Sequence, residues 1–298
     1  MKINEAKNII KTNSTSGESH EFSIGDVSTI IEILRNRLYS KPIQTLTQEY
    51  MCNARDAHRE AERNGIANAS QRPIQVTLPT ELESVIKFRD FGVGLSKERV
   101  KEVFVKYGVS TKRSDNLETG GFGLGAKSAW AYTDSFVVVS YYNGICSTYI
   151  AHTGNNKNGT FELVSEESTS EPNGIEVQVP VKTSDIYKFK NAVYRTAMFW
   201  KVKPELKGIA NVEIPEEFSK NSSVTFEQDG IIVTDQSDFI RSIYNCSYHD
   251  KLFVLVDDIP YNISKFSYDI DEVRNIHDVV RNGYTFIHIE NGAVDVAA

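Results

Sequence analysis

Three features of the sequence predict an α+β fold, a sandwich with helices on one face of a mixed sheet, followed by a second α/β domain. Helical spacing is concentrated early in the chain, strand signals joined by Asn-Gly turns follow, and the texture changes near residue 184. Residues 1–20 are polar and rich in Ser, Thr and Asn, so an N-terminal arm is expected there. Val27, Ile30, Ile31 and Leu34 form one apolar helical stripe. A second helix is expected from Ile43 to Asn64, closed by Asn64-Gly65, because both residues tolerate the left-handed conformation at a helix end. Strands are expected at Ile74–Leu78 and Val85–Arg89, then a turn at DFGVG and a helix from Lys97 to Tyr107. Gly108–Gly125 is polar and glycine-rich, of a length that belongs to functional lids more than to simple connections. A short helix at Ala126–Tyr132 and strands at Phe136–Tyr142, Cys146–Thr153, Thr160–Val164 and Ile175–Val181 complete a first domain of residues 21–184. Asn143-Gly144 and Asn158-Gly159 supply its hairpin turns. The second domain, residues 185–298, reads as a helix at Tyr187–Lys203 and strands at Ser223–Phe226, Ile231–Val233, Lys251–Val256 and Thr285–Ile289. The chain stops at ENGAVDVAA inside a strand-turn-strand pattern, so this domain is expected to be truncated at its C-terminus.

Composition narrows the function classes. The 298 residues are 40% hydrophobic and 24% charged, an ordinary globular balance that excludes a disordered or fibrous chain. Lys plus Arg is 33 against 40 for Asp plus Glu, a net charge of −7, which argues against a protein that coats nucleic acid while leaving a local basic patch open. The longest apolar runs, Phe136–Val139 and Leu252–Val256, fall far short of the ~20 residues of a spanning helix. The start, MKINEAKNIIKTNSTS, lacks the apolar core of a signal peptide. Cys52, Cys146 and Cys246 are odd in number and widely spaced, with no CxxC. The six histidines show no HxH or HExxH spacing. A cytoplasmic protein is expected.

Three motifs carry the chemistry. At about 100° per residue, Glu49, Asn53 and Asp56 share a stripe roughly 60° wide beside an apolar arc of Tyr50, Ala54, Ala57 and Ala61. One edge of the helix can therefore present two carboxylates and an amide while the other packs. Asp90-Phe-Gly92-Val-Gly94 directly follows a strand; Asp90 can accept hydrogen bonds, and the glycines let the backbone approach a ligand. Gly120-Gly121-Phe122-Gly123-Leu124-Gly125-Ala126-Lys127-Ser128 exposes backbone N–H groups able to cradle phosphate. Two familiar phosphate loops fail here. Ala126 separates Gly125 from Lys127-Ser128, breaking the Walker register. A dinucleotide fingerprint needs a buried strand before the first glycine, which STKRSDNLET cannot form. Taken singly, the first two motifs read more often as a solvated helix face and a strand-ending turn, and the third as readily as a flexible loop.

Their order and spacing over about residues 22–181 resemble the Bergerat ATP-binding fold of the GHKL superfamily, shared by gyrase-type topoisomerases, histidine kinases, the ninety-kilodalton heat-shock chaperone and the mismatch-repair clamp ATPase. The resemblance implies ATP and Mg²⁺ as cofactors and slow ATP hydrolysis that drives a conformational switch. It implies that Asn53 ligates Mg²⁺, Glu49 is the general base, Asp56 the supporting acid and Asp90 the acceptor of the adenine amino group. Gly92 and Gly94 would make room for the base. Gly121, Gly123 and Gly125 would wrap the phosphates, with Lys112 and Lys127 as candidate phosphate contacts. Many relatives carry Gly-Thr near the last strand; here Gly174 is followed by Ile175, so that hydroxyl contact beside the base is lost. By the same analogy residues 185–298 look like a transducer domain, with Lys251 and Lys265 as candidates to reach the γ-phosphate.

A narrower resemblance is carried by GGFGLGAKSAWAYTDSF, VSTKRSDN, NGIEVQVPV and FVLVDDIPYNI, which look like the phage rapid-lysis A protein family. That resemblance implies a phage protein in the cytoplasm of an infected bacterium, peripheral at the inner membrane, protecting infection against prophage or host exclusion. An ATP-dependent homodimer and a phage or host protein are the implied partners. Two other classes stay open from sequence: a nucleotide-gated scaffold without turnover, and a DNA-engaging clamp using Lys188, Lys190, Lys201 and Lys203.

Overall fold

Helix α1 (Pro42–Arg63) starts with a proline in its first turn, where a missing N–H costs nothing, and ends at Asn64. Gly65 adopts φ +93° and Ile66 N donates to Ala61 O at 3.0 Å, the left-handed closure that Asn64-Gly65 leads one to expect. The computed structural model describes residues 41–105, 125–153, 159–209, 214, 224–234, 243, 251–262 and 283–289. The N-terminal arm, the stripe at Val27–Leu34, the lid up to Leu124 and Asn158 lie outside these residues.

Helix α1 covers a seven-stranded sheet of order β5-β4-β3-β6-β2-β1-β7. Its strands are β1 (Gln75–Thr77), β2 (Val85–Arg89), β3 (Ser135–Tyr142), β4 (Ile145–Thr153), β5 (Gly159–Ser168), β6 (Gly174–Pro180) and β7 (Glu205–Lys207). All neighbours are antiparallel except β1 and β7, so the sheet is mixed. Leu46, Tyr50, Met51 and Ala54 of α1 join Val76, Ile86, Phe88, Val138, Val177 and Val179 of the strands in one core. Helix α2 (Lys97–Val105) adds Val100 and Phe104, and a 3₁₀ segment spans Gly125–Ala131. The Asn143-Gly144 turn has φ of +51° and +78°, as a two-residue hairpin of the right twist requires.

Helix α3 (Ile186–Ala197) packs beside α1, where Gln44 Nε2 donates to Thr196 Oγ1 at 3.2 Å. It leads to a second, five-stranded sheet of order β11-β10-β12-β9-β8. Its strands are β8 (Val224–Gln228), β9 (Ile231–Thr234), β10 (Leu252–Val256), β11 (Ile259–Asn262) and β12 (Tyr284–Ile289). Strand β10, LFVLV, is buried at every position. Phe199 meets Phe286 at 4.8 Å between ring centroids, joining the end of α3 to β12. Among the described residues no helix is long and apolar enough to cross a membrane.

One expectation is corrected, one is specified and two strands are added. Helix α3 stops at Ala197 rather than Lys203, because Lys203 Nζ donates to Ala197 O at 3.3 Å and Met198 O at 2.6 Å and caps the helix from beyond it. The short helix expected at Ala126–Tyr132 is a 3₁₀ segment at Gly125–Ala131. Strands β7 and β11 were not foreseen: β7 has three residues and is defined by its partner β1, and β11 contains Pro260, tolerated because β11 is an edge strand.

Candidate functional site

Helix α1 brings both glycine turns to one side of itself. Gly125 lies so near that a Cβ there would overlap the Glu49 carboxylate and stand 3.6 Å from Asn53 Nδ2. A Cβ at Gly92 would come within 2.7 Å of Ala57 O and 2.9 Å of Ala57 Cβ. Glu49, Asn53 and Ala57 recur every four residues, so Gly125 and Gly92 meet the same flank of the helix at different heights. Tyr50, on the neighbouring arc, fixes the first contact. Its hydroxyl donates to Ala126 O at 3.1 Å and accepts from Ala129 N at 3.2 Å.

Asp90 directly follows β2 and is 5% exposed. Its Oδ1 accepts from Gly92 N at 2.9 Å and its Oδ2 from Ile175 N at 3.1 Å, so β6 braces the carboxylate through the backbone of the residue that lacks the hydroxyl. Burial raises the Asp90 pKa to about 6, against the lowering effect of these N–H groups and Arg89. Each carboxylate oxygen keeps a lone pair able to accept another donor. Gly94 has φ +72°, and a Cβ there would overlap Tyr141 O; at Gly174, φ +142°, one would overlap Asp90 O. The Asp90 turn is thus held by close backbone approaches on both sides.

His58 ties this turn to α1. Its Nε2 accepts from Phe91 N at 2.7 Å, which leaves Nδ1 protonated to donate to Arg72 O at 2.9 Å. Burial pushes its pKa down, and both ring nitrogens are occupied in the neutral form. Phe91 in turn has the guanidinium of Arg72 3.5 Å from its ring centroid and that of Arg89 at 4.7 Å. Asp56 is 2% exposed, and its Oδ1 accepts from Arg59 Nη1 at 3.3 Å.

Lys127, offered by the sequence as a phosphate contact, is fully buried, and its Nζ donates to Val103 O at 2.7 Å in the last turn of α2. Burial lowers its pKa to about 8, as burial does for Lys203. The unfolded chain then binds more protons than the folded one between about pH 8 and the ordinary lysine value, so these groups make stability rise with pH across that window. A Lys127→Met chain is expected to show a shallower rise in melting temperature from pH 7.5 to 10 than the wild type. Lys251 is buried in the second sheet, 5.8 Å from the Tyr284 ring centroid. Lys112, Gly121, Gly123 and Lys265 lie outside the described residues.

Sequence reasoning placed Tyr50 only in the apolar arc, without its hydroxyl contacts, and left aside the contacts of His58, Arg89 and the Ile175 N–H. A histidine followed a few positions along a helix by small residues carries no sign of its tautomer, and a backbone donor leaves no trace in a motif. Arg55 and Arg59 left a sign in their i, i+4 spacing on α1.

In this α/β sandwich the amphipathic helix meets two glycine turns beside a braced, buried aspartate. Residues 40–184 match the family model of histidine kinase-, DNA gyrase B-, and HSP90-like ATPases. That match supports a GHKL-type ATPase domain over this segment, for which ATP binding is the expected activity. No curated protein matches the chain at a significant level.

Proposed function

We propose that the chain binds ATP with Mg²⁺ between α1 and the two glycine turns, hydrolyses it slowly and uses the cycle as a conformational switch. The observation that carries this reading is the meeting of Gly125 with Glu49 and Asn53 on the helix that also receives Gly92. The donor set suits the ion. Mg²⁺ takes hard oxygen ligands, and one amide oxygen with a nearby carboxylate is enough protein when phosphates and waters supply the rest. Among the described residues no three or more His, Cys, Asp or Glu side chains gather into an all-protein metal cage. When bound, Mg²⁺ neutralises phosphate charge, and Asn53 is the ligand this chain offers it.

The chain's own groups do the remainder. Asp90 accepts the amino group of the base, while Gly92 and Gly94 let the ring approach the backbone. Glu49 accepts the proton of the attacking water as the water oxygen bonds to the γ-phosphorus and the bond to the β–γ bridging oxygen breaks. Asp56 stands about two turns further along the same edge of α1 as the supporting acid. Gly121, Gly123 and Gly125 wrap the phosphates with Lys112, and Lys127 anchors the glycine run on α2. The rapid-lysis A resemblance extends the proposal to a phage switch in an infected bacterium that opposes host exclusion at the inner membrane. In that extension it acts as an ATP-dependent homodimer with a phage or host protein partner. This extension rests on GGFGLGAKSAWAYTDSF and its companion motifs.

A thermal-shift series with ATP, ADP and a non-hydrolysable analogue, with and without Mg²⁺, tests the site. Ligand at a hundredfold excess over its Kd stabilises the folded state by about 2.7 kcal/mol, so a rise of several degrees that requires Mg²⁺ is expected. Identical melting curves in all arms would remove the proposal.

A further inference from the structure

Helix α1 has a second working face. Gln48, Cys52, Arg55 and Arg59 fall on a stripe roughly 60° wide, adjoining the flank of Glu49 and Asn53. The β10–β11 hairpin of the second sheet lies against it. At the hairpin turn Asp257 has φ +51° and Asp258 +60°, a left-handed pair that short acidic side chains tolerate. The Asp257 side chain is 8% exposed and meets Arg59 bidentately, Nη1 to Oδ2 and Nη2 to Oδ1, both at 2.8 Å. Arg55 Nη2 donates to the same carboxylate and to Asp257 O at 3.0 Å, with its guanidinium 4.2 Å from the Trp200 ring centroid. Immediately before Glu49 in the helix, Gln48 Nε2 donates to Tyr261 Oη at 3.0 Å. Arg59 also reaches Asp56, so a chain of charges runs Asp56–Arg59–Asp257–Arg55 from the candidate site to the second sheet. The Asp257 carboxylate holds the Arg59 guanidinium well above its ordinary pKa.

We propose that Asp257 is a positioning residue that clamps α1 through Arg59 and Arg55, fixing where Glu49 stands and coupling the second sheet to hydrolysis. The inference rests on the ATPase reading above. Its physical basis is the stiffness of a helix: a displacement at Arg55 and Arg59 is carried along the rod to Glu49, and a misplacement of about 1 Å at a reacting group costs on the order of a hundredfold in rate. A buried ion pair that only docks the hairpin would instead lower stability and leave the rate of the folded fraction untouched.

The test uses the full chain with Asp257→Asn, which keeps the left-handed turn and removes the charge, and with Arg59→Gln. Steady-state ATPase kinetics and calorimetry with a non-hydrolysable ATP analogue are measured well below the melting temperature. The expected result is a kcat at least tenfold lower in each variant, KM and analogue Kd within threefold of wild type, and a double variant no slower than the slower single one. Should Asp257→Asn fail to fold, Arg59→Gln decides alone, since its side chain is one-third exposed. An unchanged kcat, or KM and kcat that move together with lost stability, overturns the clamp while loss of turnover in Glu49→Ala keeps the site. A wild-type chain that neither binds nor hydrolyses ATP overturns the site reading and the clamp with it.

Discussion

Replacing Glu49 with alanine is expected to leave ATP binding within a few-fold of wild type and to lower hydrolysis by about 10²- to 10⁴-fold, the range that a positioned general base contributes. The geometry favours a clean separation of the two quantities. Glu49 stands against Gly125, at the glycine run, whereas Gly92, whose N–H donates to Asp90, meets α1 at Ala57. Removing the carboxylate opens space beside Gly125 rather than creating a clash, so the loop keeps its path. Phosphate release measured beside calorimetry with ATP separates the effects. Turnover that persists in a preparation free of contaminating ATPase would transfer the base role to another group.

Asp90→Ala is expected to weaken ATP binding about 10- to 200-fold, equivalent to ~1.5–3 kcal/mol for a hydrogen bond to a charged group. It also strands the N–H groups of Gly92 and Ile175, which now donate to the carboxylate, so the melting temperature should fall. The pH dependence has a definite sign. The folded pKa, about 6, lies above the ordinary carboxylate value, so the folded state holds the proton more tightly. Asp90 therefore contributes stability that is present below about pH 4 and lost as pH rises through 6. Nucleotide affinity runs the other way, since the ionised carboxylate is the better acceptor, and should fall as pH drops through 6. An Asp90→Asn chain should lack both slopes in thermal and calorimetric titrations.

Much of this was legible in the residues themselves. The amphipathic period of Ile43–Asn64 gave α1 within a residue at each end, because a long helix packed on a sheet must keep its apolar stripe in phase. Val85–Arg89 and the Asn143-Gly144 hairpin follow from local chemistry that the tertiary fold had no reason to override. Lys127 shows where such reading ends: a lysine in a glycine run has the look of a phosphate ligand, and only the position of Val103 O makes it an anchor. Arg59 and Asp257 are 198 residues apart, and nothing local to either announces the other. Strand β7 is likewise created by the neighbour it pairs with.

That last pairing bears on how the protein can be dissected. Residues 205–207 close the edge of the first sheet through parallel bonds to 75–77, with Leu78 N donating to Lys207 O at 2.8 Å. Expressing the family-matched stretch alone would strip this cover from β1, leaving a bare rim of amides and carbonyls able to recruit a strand from another molecule. A fragment meant to isolate nucleotide binding should therefore run past Gly208, or the aggregation of its unsealed border will be mistaken for a property of the intact chain.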